Sequence, residues 1–337
     1  MTAPDIFRYA RFGAETTFHT VANATFGIET TSNGLDSPEN QEIIIDSGCG
    51  RGPRTKVPGY YTCQGPIEYY PDIETIGWFW RWFLTGYQYT AGDGTPDPNL
   101  HEIYGTSSGA LKSVTVREGR DNWEQIFAGG MLNTIDLRVD TSAQLGSCSL
   151  GWITGKDTPG AICAEADLNL PSDSLPLGFA ESQVWIDEEE NSALMKSMVI
   201  SGTNNIAAES AQRFNSLFPQ GGFLPGKRGI NFALRVVFED RTHKNIFWGS
   251  DAGPATTGSL EVPISFKLSD PDGYRSILFC APRTLIRSVK SATRGSDPLV
   301  QDIAGTALIA NNVALDDESL VNTELLVTLN NYQTTMV

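Results

Sequence analysis

The second half of this chain repeats the pattern of its first half. Residues 113–139 (SVTVREGRDNWEQIFAGGMLNTIDLRV) match residues 263–289 (PISFKLSDPDGYRSILFCAPRTLIRSV) at a constant offset of 150. Upstream, residues 58–72 match residues 225–239 at an offset of 167. Few residues are identical, so the repeat depends on the spacing of apolar positions, and a chance likeness of two β-rich segments is the alternative. If the duplication is real, both halves should contain the same arrangement of secondary-structure elements.

The repeat divides the chain into two modules. A length of 337 residues accommodates two domains. We predict an N-terminal arm over residues 1–40, a first module over 41–155, a linker over 156–177 and a second module over 178–337. The 33 glycines and 18 prolines are typical of short strands joined by many turns. The predicted fold is therefore mostly β with minor α: two tandem β-sandwich or barrel modules, each with a flanking helix.

Local patterns place these elements. Asp72 after a proline and Gly86 bracket a segment with aromatic residues four apart, which predicts a helix packed on a sheet. The glycine- and proline-rich residues 87–109 predict a long loop, and long loops are often functional. Residues 261–268 and 274–290 predict a hairpin whose turn contains Asp272 and Gly273.

The charge and the cysteines narrow the function. A net charge of −16 argues against tight wrapping around nucleic acid, although DNA could still slide past such a surface. The five cysteines include no C-x-x-C pair, so we predict neither a disulfide framework nor a zinc site. We expect no cofactor. The sequence also shows no apolar run of membrane-spanning or signal-peptide length, so we expect no membrane partner.

Motifs for catalysis are weak. Residues 105–109 match the G-x-S-x-G pattern of hydrolases, but a proline-rich segment precedes them where a strand is required. The three histidines, His19, His101 and His243, lie in different segments. Residues 270–273 begin like a calcium loop but lack its later ligands, so a hairpin turn is the better interpretation. We therefore predict that the protein is not an enzyme.

A few exposed residue types are candidates for contacts between copies of the chain. Tyr87, Tyr89 and His101 occupy the predicted long loop. Arg51 and Arg54 belong to the basic cluster of the first half, and Arg283 and Arg287 to that of the second half. The latter pair could meet an acidic neighbouring subunit or could form an ordinary exposed strand face.

The order of these motifs resembles the tail tube protein family of long-tailed, non-contractile phages. The resemblance is carried by PGYYTCQGPIEYYPDIETIGWFWRWFLTG, by GGMLNTIDLRV, and by SLPLGFAESQVWID followed by SMVISGTNNI and FLPGKRGINFALRVVFED. It covers nearly the whole chain. The long segment 87–109 and the tryptophan-rich helix depart from the family pattern.

The resemblance implies a structural virion protein that polymerises into stacked rings. Strands of neighbouring subunits would join edge to edge around a lumen, which removes exposed edges by closure. Most such proteins carry one module and form hexamers, so two modules suggest a homotrimeric, pseudo-hexameric ring, with a hexamer as the alternative. The implied partners are other copies, a tape-measure protein and other tail proteins. Genomic DNA would pass through the lumen without specific binding, in a tail assembled in the host cytoplasm.

Two other classes stay open. An extracellular carbohydrate-binding or adhesin-type β-protein would use exposed aromatic side chains such as Tyr87 and Tyr89. Another tail component, such as a distal tail or terminator protein, would share the fold. Polymerisation into hollow tubes would separate a tube protein from the first class.

Overall fold

The computed structural model describes residues 8–38, 42–45, 55–94, 97–106, 109–120, 123–164, 167–171, 175–256, 258–292, 299–334 and 336. Arg51 and Arg54 lie outside these residues.

Twelve strands and one helix form the first half of the described chain. They are β1 (Arg8–Ala14), β2 (Phe26–Glu29), β3 (Ser32–Asn33), β4 (Glu42–Ile45), β5 (Thr55–Pro58), β6 (Cys63–Tyr69), α1 (Ile76–Leu84), β7 (Thr85–Thr90), β8 (Asn99–Gly105), β9 (Val114–Arg120), β10 (Trp123–Asp140), β11 (Ser147–Thr154) and β12 (Lys156–Gly160).

Ten strands, one α-helix and two short 3₁₀ turns (Ser192–Leu194 and Ala208–Ala211) form the second half. The longer elements are β13 (Ser182–Ile186), β14 (Glu189–Glu190), β15 (Met195–Thr203), β16 (Gly229–Val237), α2 (Thr242–Trp248), β17 (Glu261–Ser269), β18 (Ser276–Ala292), β19 (Val300–Ala307), β20 (Ala310–Ala314), β21 (Leu320–Thr323) and β22 (Leu326–Asn331).

The mostly β fold predicted from the sequence is confirmed, and strand pairing follows the same order in both halves. In the first half the order is β2, β1, β9, β10, β11, β6, β3. In the second half it is β14, β13, β17, β18, β19, β16, β15. Every one of these pairs is antiparallel. The long strands β10 and β18 occupy the same place in the two orders.

Two bulges fix which residues correspond between the halves. Asn133 is the unpaired residue in the β10–β11 ladder, and Arg287 is the unpaired residue in the β18–β19 ladder. Aligning these bulges makes β18 correspond to β10 at an offset of 154. The ladders then relate β9 to β17 at 148, β11 to β19 at 153 and β6 to β16 at 167. The predicted offset of 167 agrees with the ladders, whereas the single offset of 150 does not.

The core is continuous across both halves. One cluster of buried apolar side chains includes Phe12, Trp152 and Ile135 from the first half and Phe232 and Phe279 from the second. The division into two modules therefore stays a prediction, because the halves share one hydrophobic core.

Helix α1 supplies the largest buried side chains of that core. Trp80, Trp82 and Phe83 are each at most 2% exposed. Asp72 does not cap the helix itself; its Oδ1 accepts hydrogen bonds from the backbone N–H groups of Glu74 and Thr75 in the turn before it. The helix ends at Leu84, and the next residue, Thr85, has a φ of 75°. The prediction of a helix packed on a sheet is confirmed, with both ends shifted inward.

The prediction of a long loop over residues 87–109 is wrong. Strands β7 and β8 pair as a hairpin from Thr85 to Gly105, and β8 also pairs with β22. The tip AGDGTPDP suggested a loop, but the flanking residues gain a partner strand more than 200 residues away in the sequence. The hairpin therefore connects the two halves of one chain.

Parts of the predicted arm and linker also form strands. Within residues 1–40, β1 pairs with both β2 and β9. Within residues 156–177, β12 pairs with the first part of β10.

Candidate assembly surface

Eight strands form one continuous antiparallel sheet across the two halves. Their order is β3, β6, β11, the second part of β10, β15, β16, β19 and the second part of β18. The joint between halves is the ladder of β10 with β15, which runs from Thr134 opposite Thr203 to Asp140 opposite Ser197. The sheet is therefore wider than either half could build alone.

Residues alternate across most of this sheet. In β16, for example, Ile230, Phe232 and Leu234 face the core, whereas Asn231 and Arg235 are exposed. Alternation of this kind produces one buried face and one solvated face. Most side chains on the exposed face are small and polar. They include Thr134, Ser149, Ser197, Ser201, Asn231 and Thr306. The exceptions to the alternation are Met131 and Ile153, which lie on the otherwise exposed face but are buried in a second apolar cluster with Ile206 and Phe223.

The charges on the exposed face are mixed. The carboxylates are Asp36, Glu68, Asp136, Asp140 and Asp302. The cations are Arg138, Arg235, Arg287 and Lys290. Several pair across the face, with Arg138 Nη2 3.0 Å from Asp140 Oδ2 and Arg235 Nε 3.6 Å from Asp302 Oδ1. At the described positions, the two signs interleave and form no continuous cationic track for phosphates.

The joint between halves depends on close packing by α1. A Cβ atom added at Gly202 would lie 2.6 Å from the Phe83 ring and 3.0 Å from Ile135. Next to it, the Asn204 side chain donates hydrogen bonds to the carbonyl oxygens of Phe83 and Leu132. The end of α1, the bulge of β10 and the end of β15 are thus held together, which sets the register of the joint.

A buried charge cluster attaches β1 to the first part of β10. Glu124 is fully buried, and its carboxylate lies 2.5 Å from Arg11 and 3.2 Å from Arg117. The Tyr9 hydroxyl donates to the same carboxylate at 3.0 Å, and burial raises the pKa of Tyr9 to about 12. Breaking a buried, paired charge is strongly destabilising, so this cluster is structural.

Three of the predicted contact residues lie in the hairpin that connects the halves. The Tyr87 hydroxyl lies 2.9 Å from His101 Nδ1 and accepts a hydrogen bond from the Met336 N–H. His101 is fully buried, and burial lowers its pKa. The Tyr89 hydroxyl donates to Asn99 Oδ1 at 3.2 Å. Their proposed role in contacts between copies stays a prediction, since each already has a partner in its own chain.

The other predicted contact residues lie on β18. Arg283 is exposed and forms a two-point ion pair with Glu261 of the same chain. Arg287 is the bulged residue, and its Nε donates to Thr306 Oγ1 at 2.7 Å. Arg283 therefore already has an acidic partner, Glu261, in its own chain. Arg287, in contrast, lies beside the edge of β18 that has no partner strand among the described residues.

The catalytic motifs do not converge. Strand β8 leads up to Gly105, so the proline-rich segment does not exclude the hydrolase motif as the sequence suggested. The next element in the described chain is strand β9, where the motif requires a helix. Asp270 accepts the turn hydrogen bond from the Gly273 N–H and pairs with Arg275, as expected of a hairpin turn. Within the described residues, no group of His, Cys, Asp or Glu side chains is arranged to hold a metal ion.

The sequence predictions missed the joint between β10 and β15. The sequence predicts a strand over residues 194–201, close to the observed β15, but not its partner. The one sequence signal for this joint was the length of β10. A strand of 18 residues extends beyond the hairpin with β9, so its second part needs a partner strand on each side.

Comparison with known proteins identifies one family. A family model described as "Phage tail tube protein" matches residues 9–310. A search of curated proteins finds no match. Neither described helix combines the length and apolar character needed to cross a bilayer.

Proposed function

The chain belongs to the phage tail tube protein family, and from this premise we propose that its copies assemble into rings that stack into a hollow tail tube for DNA delivery. The observation that carries the proposal is the eight-stranded sheet, which has one mostly polar face and two edges without a partner strand among the described residues. An open β-sheet edge is a template for another strand, and closing sheets into a ring removes such edges. The protein is thus a structural component of the virion.

We propose three chains per ring. The shared pairing order of the two halves supports two equivalent modules in each chain, and three chains then supply six. Eight strands from each of three chains give 24 strands in the wall. With strands about 4.8 Å apart and tilted by roughly 40°, such a barrel is about 48 Å across between backbones.

The width supports three chains over two. Two chains would give a barrel only about 32 Å across between backbones, and side chains on both walls would narrow it further. A DNA double helix with its hydration layer fits the wider barrel.

The polar face is the proposed lumen wall. Its interleaved charges offer no line of cations to hold the DNA backbone, so contacts would be weak and screened. DNA would then pass without specific binding. Other tail proteins, including a tape-measure protein, are proposed partners of the assembled tube.

Electron microscopy with native mass measurement tests the proposal. The purified protein should form hollow tubes or rings above a threshold concentration, and the smallest closed ring should have the mass of three chains. Six chains per ring would keep the tube but refute the trimer. Binding to glycans by a protein that never polymerises, even with preformed tail tips as initiator, would refute the tube function.

A further inference from the structure

The joint inside the chain is a complete example of how two modules can pair. In the β10–β15 ladder, Ile135 lies opposite Gly202, Asp136 opposite Ser201 and Leu137 opposite Ile200. The Asn204 N–H donates to the Asn133 carbonyl at 2.8 Å. Since backbone groups alternate in direction along a strand, Ile135 and Leu137 also direct their N–H and C=O groups toward β15.

Each side of this joint has a counterpart elsewhere in the chain. The bulge alignment makes Lys290 of β18 the equivalent of Asp136 of β10. The ladders of β3 with β6 and of β15 with β16 make Asp36 the equivalent of Ser201. The pairing of Asp36 with Gln64 continues the β3 ladder in the same register.

Both counterparts are open. Strand β17 pairs with β18 only as far as Leu285, so the described part of β18 beyond it has a partner on the β19 side alone. Likewise β3 is paired only with β6 in the described chain. The eight-stranded sheet therefore begins and ends in edges of the two kinds that already join at its centre.

We propose that β18 of one chain pairs antiparallel with the segment around β3 of a second copy, in the register of the internal joint. This inference rests on the proposed tube function and names the contact that would close its rings. Transferring the register places Lys290 opposite Asp36, Val289 opposite Ser37 and Ser291 opposite Leu35 of the next copy. A head-to-tail contact of this kind generates rings or filaments rather than twofold dimers.

The chemistry at the predicted contact is complementary. Lys290 is exposed, and the Asp36 side chain is 58% exposed. Directly opposite residues on one face of an antiparallel pair interact, and opposite charges there are favourable. The internal joint has Asp136 opposite Ser201 at the same place, so the two joints share geometry but differ in charge.

Side chains of the same chain cover both open edges. The Lys244 ammonium donates to the Val289 carbonyl at 3.0 Å, and the Arg120 guanidinium donates to the Leu35 carbonyl at 3.0 Å. In the proposed register, both carbonyls point at the neighbouring strand. Lysine at a sheet edge is a common protection against unwanted pairing, so these two side chains have to move when chains join.

Disulfide cross-linking tests the register. Residues opposite each other in a non-hydrogen-bonded pair have Cα atoms about 4.5 Å apart, within the range of a disulfide. Asp36→Cys with Lys290→Cys should form bonds between chains under mild oxidation. The background carries Cys49→Ser and Cys280→Ser, because Cys63, Cys148 and Cys163 are buried.

The internal joint provides a matched positive control. Asp136→Cys with Ser201→Cys occupies the equivalent pair and should form a bond within each chain, whether or not chains assemble. Ser37→Cys with Lys290→Cys is the register control, because residues 37 and 290 would face opposite sides of the sheet. The single variants D36C and K290C should give no ladder of covalent oligomers.

The outcomes separate this inference from the tube function. Covalent oligomers from D36C/K290C, with none from the register control, would support the joint. Tubes in the micrographs without that cross-link, while the internal control is oxidised, would overturn the joint and leave the tube function standing. The cross-link without rings or tubes would support the joint and count against the tube.

Discussion

Lys244 occupies a position where one hydrogen bond competes with assembly. In the single chain its ammonium satisfies the outward carbonyl of Val289, and in the proposed ring a neighbouring N–H takes its place. Removing the Lys244 ammonium leaves the Val289 carbonyl without a protein donor in the free chain and so destabilises it. The ring is not destabilised, because a neighbouring N–H donates to that carbonyl there.

We therefore expect Lys244→Met to lower the threshold concentration for ring formation by about tenfold, since a hydrogen bond to a charged group contributes about 1.5 kcal/mol or more. Light scattering over a dilution series would measure this threshold. Lys244→Arg keeps a charged donor and is the matched control. An unchanged threshold in both variants would contradict a protective role for Lys244.

Glu118 makes the stability of the protomer depend on pH. Burial, opposed by the Arg120 guanidinium 3.2 Å away, raises the pKa of this carboxyl to about 7. The folded chain therefore holds a proton between about pH 4.5 and pH 7 that the unfolded chain releases. The free energy of unfolding contributed by this group consequently falls as pH rises through that window and is level above it.

We expect this fall to be on the order of 3 kcal/mol between pH 4.5 and pH 7.5. Glu118→Gln should remove the fall, because an amide does not titrate. Urea unfolding at several pH values, compared between the two proteins, measures the difference. Parallel curves for wild type and variant would show that Glu118 does not titrate in this range.

At the level of elements, the hairpin β7–β8 shows what the sequence could predict and what it could not. Alternation and turn residues correctly predicted β17, β18 and α1, because those patterns are local. The hairpin was predicted as a loop because its tip is rich in glycine and proline and its partner β22 lies at the far end of the chain. Long-range pairing of this kind leaves no mark on the local pattern.

The repeat offsets have a similar explanation. The turn between β9 and β10 spans two residues, whereas the turn between β17 and β18 spans six. A single offset cannot hold across turns of different length, so the value of 150 paired residues that are not equivalent. The offset of 167 was right because it was taken within one strand, β6 against β16.

The hairpin also predicts a structural role for Tyr87. Its hydroxyl joins His101 and the Met336 N–H, so Tyr87→Phe should lower the free energy of unfolding by about 1–2 kcal/mol. Thermal or urea unfolding measures this, with Tyr89→Phe as a control that loses one longer bond. If Tyr87 instead acts mainly between copies, the variant would unfold like wild type but assemble at a higher concentration.

At the level of the whole molecule, the net charge of −16 and the mixed polar face act together. We expect assembled wild-type tubes to bind linear DNA negligibly at physiological salt. Glu68→Arg with Asp302→Arg removes two negative charges and adds two positive charges on the face of each chain, and should produce DNA binding that weakens steeply as salt rises. Electrophoretic mobility shifts over a salt series would measure it.

Glu188→Arg with Glu189→Arg makes the same change in net charge on an exposed turn away from the face, and is the matched control. Equal DNA binding by both double variants would mean that net charge alone matters and that the sheet face is not the surface exposed to DNA.

The internal joint between β10 and β15 also has a kinetic consequence. In a ring of three chains, every second joint is already made when a chain folds, so only three joints have to form between chains where single modules would need six. The rate of ring nucleation then depends on a lower power of concentration, and rings can form when the protein is still scarce. The internal joint can also be apolar and tightly packed. The joint between chains can keep charged side chains that prevent unwanted strand pairing before the chains assemble.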